Sequence, residues 1–307
     1  MDDRRKGCFY GCAVGDALGL PLEFEERNTH PLLTEMVPAT QWKTLAAGSW
    51  SDDTSMMLCL SASLVATHGV QDNYNQLVHY KSWWEEGYLS VAGYCFDIGR
   101  TTTLALAGFE KYGRTVAKTT QEGHQGNGSL MRIAPIPILY HAREATEIAA
   151  AATQSSETTH AHPVCMQACA MFSILCAHAI KGKSKAELLE VLHSLQFPPH
   201  LPLPPSLVQI ARCDFMHKTR NEIKSGGYVV DSLEAALWAF FRTATFEEGA
   251  ILAVNLAHDA DTVGAIYGTL AGAAYGFSAI PSRWLKALQG RHMLDGVYAD
   301  LIATLRV

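Results

Sequence analysis

Asp259-Ala260-Asp261-Thr262-Val263-Gly264-Ala265-Ile266-Tyr267-Gly268-Thr269-Leu270-Ala271-Gly272-Ala273-Ala274-Tyr275-Gly276 joins two features that govern the rest of the chain. Its glycines 264, 268, 272 and 276 recur every four residues, as do Gly11, Gly15 and Gly19 near the N-terminus. Residues four apart lie along one side of a helix, so each ladder is a ridge without side chains where another backbone can approach. An interior glycine costs a helix up to about 1 kcal/mol against alanine, and close approach of a second helix offsets that cost. The expectation is that the first and last ladders sit centrally and bring together the acids beside them. A membrane dimer motif shares this spacing, but the composition is that of an ordinary soluble protein.

The acids form the second feature. Asp259-Ala260-Asp261-Thr262 has a counterpart about two hundred residues upstream, Ser51-Asp52-Asp53-Thr54. Each runs into an apolar, helix-like stretch, which suits acids at a helix N-terminus. Four carboxylates and three hydroxyls offer only hard oxygen ligands, suited to Mg²⁺ or Mn²⁺ rather than zinc. Brought together, they could build a two-metal hydrolytic site. Read singly, each cluster is more simply a helix cap. Their combination with Asp16, Glu23 and the loop Gly123-His124-Gln125-Gly126-Asn127-Gly128-Ser129 changes the weighing. A glycine-rich loop leading into a short helical segment at Leu130 offers backbone N–H groups to a phosphate or diphosphate. It has no P-loop lysine and follows no strand, so neither P-loop nor Rossmann chemistry applies.

Elsewhere the periodicity is helical. Apolar residues recur at three- and four-residue steps through 56–65, 164–180, 186–195, 233–241 and 249–256. Strand-like alternation is scarce, which predicts a compact all-α orthogonal bundle of about ten or more helices. Phe197-Pro198-Pro199-His200-Leu201-Pro202-Leu203-Pro204-Pro205 reads as an extended connection. Because the acidic clusters flank it, 1–307 is expected to be one domain. Ser225-Gly226-Gly227 marks a turn before a helix with Asp231 placed for an N-cap.

A formal charge of −6 argues against nucleic acid as the main ligand. Arg4, Arg5 and Lys6 imitate a signal peptide, but Asp2, Asp3 and Asp16 spoil the pattern. The uncharged run 263–280 is barely long enough to cross a bilayer and is dense in glycine, so no membrane role is expected. Eight cysteines, with no CxxC pair, fit core thiols in a reducing cytoplasm.

The chain resembles the ADP-ribosylglycohydrolase family, which includes dinitrogenase reductase-activating glycohydrolase and the ADP-ribosyl-acceptor hydrolases. The motifs run in the family's order. Gly11-Cys12-Ala13-Val14-Gly15-Asp16-Ala17-Leu18-Gly19 and Glu23 come first, then Trp50-Ser51-Asp52-Asp53-Thr54-Ser55-Met56 and Phe96-Asp97-Ile98-Gly99. Gly126-Asn127-Gly128-Ser129-Leu130-Met131-Arg132, Thr159-His160 with Pro163, and Asp259-Ala260-Asp261-Thr262 follow.

The resemblance implies an all-α hydrolase that cleaves the glycosidic bond between ADP-ribose and an acceptor, using two Mg²⁺ or Mn²⁺ ions. It implies Ser51, Asp52, Asp53 and Asp261 around one metal, and Glu23, Asp259, Asp261 and Thr262 around the other. It further implies the 123–129 loop and Gly99 at the substrate, His160 at its sugar or phosphate, and Asp97 as acid/base. The Trp-Ser-Asp-Asp-Thr-Ser-Met run is closest to the arginine-directed branch. Serine-linked ADP-ribose, O-acetyl-ADP-ribose, or a non-catalytic ADP-ribose-binding or crystallin-like relative are the alternatives. Two departures stand out. Ser51 replaces a common threonine, and Ala257-His258 replace a common Gly-Gly, where the imidazole could pack, narrow the acceptor pocket or join proton transfer.

Lesser signals read as structure. His160-Ala161-His162 with Cys165 has no second ligand pair for zinc. Trp83-Trp84 and Trp238, Phe240 and Phe241 read as core aromatics.

Overall fold

A computed structural model describes residues 1–42, 45–195 and 203–306. In chain order the helices are α1 (Asp2–Gly19), α2 (Asp52–Ala66), α3 (Asn73–Glu86), α4 (Arg100–Tyr112), α5 (Pro135–Tyr140), α6 (Ala145–Glu157) and α7 (Pro163–Ile180). They continue as α8 (Lys185–Ser194), α9 (Pro205–Ala211), α10 (Val229–Arg242), α11 (Phe246–Val254), α12 (Ala260–Tyr275), α13 (Ser282–Ala287) and α14 (Arg291–Ala303). Among the described residues β-structure is limited to two isolated bridges. The fold is all-α.

The two glycine ladders pack against each other as an antiparallel pair at the centre. A Cβ on Gly7, Gly11, Gly15 or Gly19 would fall on the carbonyl oxygen of Gly272, Gly268, Gly264 or Ala260 respectively. The reverse holds for Gly264, Gly268 and Gly272 against Gly15, Gly11 and Gly7. Backbone therefore touches backbone along α1 and α12, which only glycine permits. Gly7 extends the ladder, while Gly276 (φ 91°) instead ends α12 with a left-handed backbone. The antiparallel register matters for chemistry. It sets Gly19, at the end of α1, against Ala260 and Asp261 in the first turn of α12.

Helix α7 packs on this pair. It is long and apolar enough to cross a membrane, but 83% of its length is buried inside the protein. Trp83, Trp238 and Phe240 are buried and Phe241 packs against the same core. All eight cysteines are free thiols, and only Cys95 is not buried.

Two local expectations change. Helix α10 begins at Val229 with Tyr228 as N-cap, so Asp231 lies in the first turn and caps nothing. The cause is tertiary: Gly126 pairs with Tyr228, and the Val229 N–H donates to the Gln125 carbonyl at 3.0 Å. Leu130 starts no helix; its N–H and that of Met131 both turn back to the Asn127 carbonyl, and α5 starts at Pro135. The proline-rich stretch lies mostly outside the described residues, and Pro204 and Pro205 cap and open α9.

Candidate active site

The acids meet because of how α1 ends. Asp16 is fully buried and accepts hydrogen bonds from the Ser51 N–H (2.9 Å), Ser51 Oγ (3.0 Å), Thr54 N–H (3.0 Å) and Thr54 Oγ1 (2.6 Å). It thus satisfies free donors at the start of α2, and ties that helix end to α1. Burial pushes its pKa up to about 6, although the four donors pull the other way. Asp16 is a fastener for the site rather than part of its surface.

A second tie brings in Glu23. Residues 23–25 pair with 257–258: the Phe24 N–H donates to the His258 carbonyl at 2.7 Å, and the His258 N–H to the Glu25 carbonyl at 2.9 Å. Phe24, Ala257 and His258 all have positive φ there, a conformation non-glycine residues rarely adopt. Strain of this kind persists only where the surroundings over-determine it. The His258 side chain is exposed, so it does not pack in the core. Trp42 donates its indole N–H to Glu23 Oε2 at 2.9 Å and packs edge-on against Phe96, at 5.1 Å between centroids. Asp97 follows Phe96 with φ 58° and hydrogen-bonds Glu23.

The result is an open cleft of about 250 Å³. Glu23, Asp52, Asp97, Asp259, Asp261 and Thr262 form its acidic floor, facing Gly126, Asn127, Gly128 and His160. Oxygens of Glu23, Asp97 and Asp261 lie within 4.8 Å of one another. Ser51 and Asp53 lie just behind this floor, both buried, with Ser51 Oγ 3.2 Å from Asp53 Oδ2. Thr262 Oγ1 donates to Asp53 Oδ2 at 3.4 Å, and Asn127 Nδ2 to Asp259 Oδ2 at 2.8 Å.

Among the described residues no ion pair involves any of these acids. Burial, reinforced by mutual repulsion, therefore holds Asp52, Asp53 and Asp261 well above the usual carboxylate range. Asp97 is pushed up to about 11 by burial and then by Asp52 and Glu23, and Glu23 up to about 7 by burial. Asp53 Oδ1 is buried without any hydrogen-bond partner. So many carboxylates can ionise together only if cations join them. An all-oxygen donor set fits a hard divalent cation.

The glycine loop enters the cleft only in part. Gly99, Gly126, Asn127 and Gly128 line it, but Gly123, His124, Gln125 and Ser129 do not. The N–H groups of Gly128 and Ser129 donate to nothing among the described residues, as an anion site requires. The His124 ring turns instead into a neighbouring cavity with Arg114 and Lys118. Several contributors were not legible as such in the sequence: Trp42, Phe24, Arg100, Thr102 and Gly227. Gly227 had a signal, since it belongs to the Ser-Gly-Gly turn. Its carbonyl receives the Asn127 N–H at 3.1 Å, and a Cβ there would sit 3.3 Å from Asp259 Oδ2.

The family model described as ADP-ribosylglycohydrolase matches residues 1–306. The chain belongs to the ADP-ribosylglycohydrolase family. It is a glycohydrolase that acts on a glycosidic bond of ADP-ribose. It is 37% identical over 302 residues to "ADP-ribosylarginine hydrolase Tri1" of Serratia proteamaculans, covering 97% of this chain and 79% of that one. It is 32% identical over 295 residues to "ADP-ribosyl-[dinitrogen reductase] glycohydrolase" of Rhodospirillum rubrum, covering 94% and 91%. A solved "ADP-ribosylglycohydrolase-related protein complex" superposes with a TM-score of 0.85 at 37% identity, over 99% of this chain and 98% of that one.

Proposed function

We infer that this glycohydrolase removes ADP-ribose from arginine side chains of modified proteins, using two Mg²⁺ ions, with Mn²⁺ able to replace them. The observation that carries the reading is the uncompensated acid cluster opposite a loop with free N–H groups. Asp52, Asp53, Asp259 and Asp261, with Ser51, Thr262 and Glu23, would hold the ions. Bound there, such ions supply charge neutralisation, orientation of ribose hydroxyls and a more acidic water.

The remaining work falls to the chain. Gly128 offers its N–H group to the diphosphate. Asp97 hydrogen-bonds Glu23, and burial together with Asp52 and Glu23 pushes its pKa up to about 11, so it carries a proton near neutral pH. It can give that proton to the leaving guanidine nitrogen as the ribose C–N bond breaks. Asp97 then recovers a proton from the attacking water, so the cycle closes. At the mouth, Phe24 is 70% exposed on the rim of an acidic cleft. An aromatic face beside carboxylates suits a planar cation such as the acceptor guanidinium. The eight free thiols support a cytoplasmic setting.

Release of ADP-ribose from arginine- and serine-linked peptides, at equal concentration with Mg²⁺, tests the acceptor. Arginine-linked peptide is expected to turn over at least about tenfold faster in kcat/KM, a gap of roughly 1.4 kcal/mol. Preference for the serine-linked peptide or an acetyl ester would move the enzyme to another branch of acceptors.

A further inference from the structure

Arg132 ends the Gly-Asn-Gly-Ser-Leu-Met-Arg motif, yet reaches neither the cleft nor any carboxylate. It is fully buried, its guanidinium lies 4.5 Å over the Tyr80 ring, and its Nε has no partner. A buried cation without a counter-ion is costly, so its contacts call for an account.

The shortest of them is to Thr159. Arg132 Nη2 donates to Thr159 Oγ1 at 2.7 Å, and that hydroxyl lies 2.8 Å from His160 Nδ1. Arg132 can only donate, so the Thr159 oxygen accepts from it and its single proton remains to be given. Among the described residues His160 Nδ1 is the acceptor available to that proton. The neighbouring Thr158 hydroxyl is no competitor, because its oxygen already accepts from Gln76 Nε2 at 3.2 Å and from Arg132 Nη2 at 3.4 Å while its proton goes to the Ser155 carbonyl at 2.7 Å. The opposite assignment, with Nδ1 protonated, would leave the buried Thr159 hydroxyl proton without a partner.

The chain of donors therefore runs from Arg132 to Thr159 to His160, and leaves the imidazole proton on Nε2. That nitrogen hydrogen-bonds to nothing among the described residues. It lies 3.5 Å and 3.2 Å from where a Cβ on Gly126 or Gly128 would stand, so the ring rests against the loop that offers the free N–H groups. The His160 N–H, bonded to the Ser156 carbonyl at 2.8 Å, fixes the backbone behind it.

We propose that Arg132 is a positioning residue: through the Thr159 hydroxyl it holds His160 as the Nε2–H tautomer, presenting a neutral donor to the diphosphate or adjoining hydroxyl of ADP-ribose. The proposal rests on the functional reading only for the ligand's identity. Burial, the Arg132 charge and His124 push the His160 pKa down to about 3, so the ring stays neutral and the tautomer alone decides whether it donates.

Long-range ¹H–¹⁵N NMR on the ligand-free protein, with His160 assigned by its loss in His160→Gln, reads the tautomer directly. Wild type is expected to carry the proton on Nε2. Thr159→Val, nearly isosteric, should populate the Nδ1–H form, weaken calorimetric binding of free ADP-ribose about tenfold and raise KM more than it lowers kcat. Thr159→Ser should restore all three. Arg132→Met should shift the tautomer in the same direction, and Thr159→Val decides the matter if that variant does not fold. A wild-type Nδ1–H tautomer, or an unchanged tautomer in Thr159→Val, overturns the proposal. Absence of ADP-ribose binding to wild type would instead sink the functional reading and leave the tautomer result standing.

Discussion

Gly268→Val is expected to leave no cooperatively folded protein. The new Cβ would fall on the Gly11 carbonyl oxygen, and the adjacent Gly11 carbon stands only 2.6 Å away. Neither is the end of a flexible side chain, so relief requires α1 and α12 to move apart. Overpacking in a core that can yield costs about 1–3 kcal/mol. Here the neighbouring contacts Gly15–Gly264 and Gly7–Gly272 would open together, and a loss beyond about 5 kcal/mol would consume much of a typical domain's stability of roughly 5–15 kcal/mol. The contrast is Gly296→Ala in α14, where a Cβ meets nothing within 4 Å. That change should be neutral or stabilising by up to about 1 kcal/mol. Soluble yield and thermal melts followed by circular dichroism distinguish the two. A Gly268→Val protein melting within a few degrees of wild type would remove the central helix pair from the account.

Asp261→Asn is expected to cut turnover on the order of 10³-fold or more and yet make the metal-free protein more stable. The sign follows from linkage. Asp261 is buried, and burial together with Glu23, Asp53 and Asp97 raises its pKa well above the usual value. A raised folded-state pKa means that its protonated form fits the fold better. The stability this confers is fully present below the unfolded value of about 4, and is lost as pH rises through the folded value. Glu23 adds a defined window, losing its share between its unfolded value near 4.5 and about 7. Asparagine keeps the shape and the oxygen that accepts the Thr262 N–H at 2.9 Å, but cannot ionise. In EDTA the variant should therefore melt above wild type at pH 8, with the gap closing toward pH 4. A variant that is inactive and less stable at pH 8 would make Asp261 a structural acid.

Much of this site is legible in the amino-acid sequence, because its signals are local and repeated. A four-residue glycine period is visible in the chain itself, and it specifies both the helices and the face they share. The acids are visible for a similar reason: each cluster begins a helix, and Ser51 and Asp259 are the N-caps of α2 and α12. What stays hidden depends on tertiary pairing. The start of α10 follows from the contact of Tyr228 with Gly126 rather than from Asp231. The loop 123–129 is uniform in composition, yet its backbone path divides it, so that Gly126, Asn127 and Gly128 face the cleft while the Ser129 side chain is buried against Ser156 and Cys169. Trp42 and Phe24 carry no motif. One reaches Glu23 only through the fold, and the other takes a backbone conformation that composition does not suggest for phenylalanine.

The central claim is that the crowded acids are a cation-requiring hydrolytic centre, and its most direct test joins binding to turnover. Mg²⁺ titrated into EDTA-stripped protein would be followed by calorimetry and, on the same samples, by ADP-ribose release from arginine-linked peptide. The account predicts no release without the ion, and half-maximal binding and half-maximal turnover at the same Mg²⁺ concentration. Full turnover in EDTA, with no heat of Mg²⁺ binding, would contradict it.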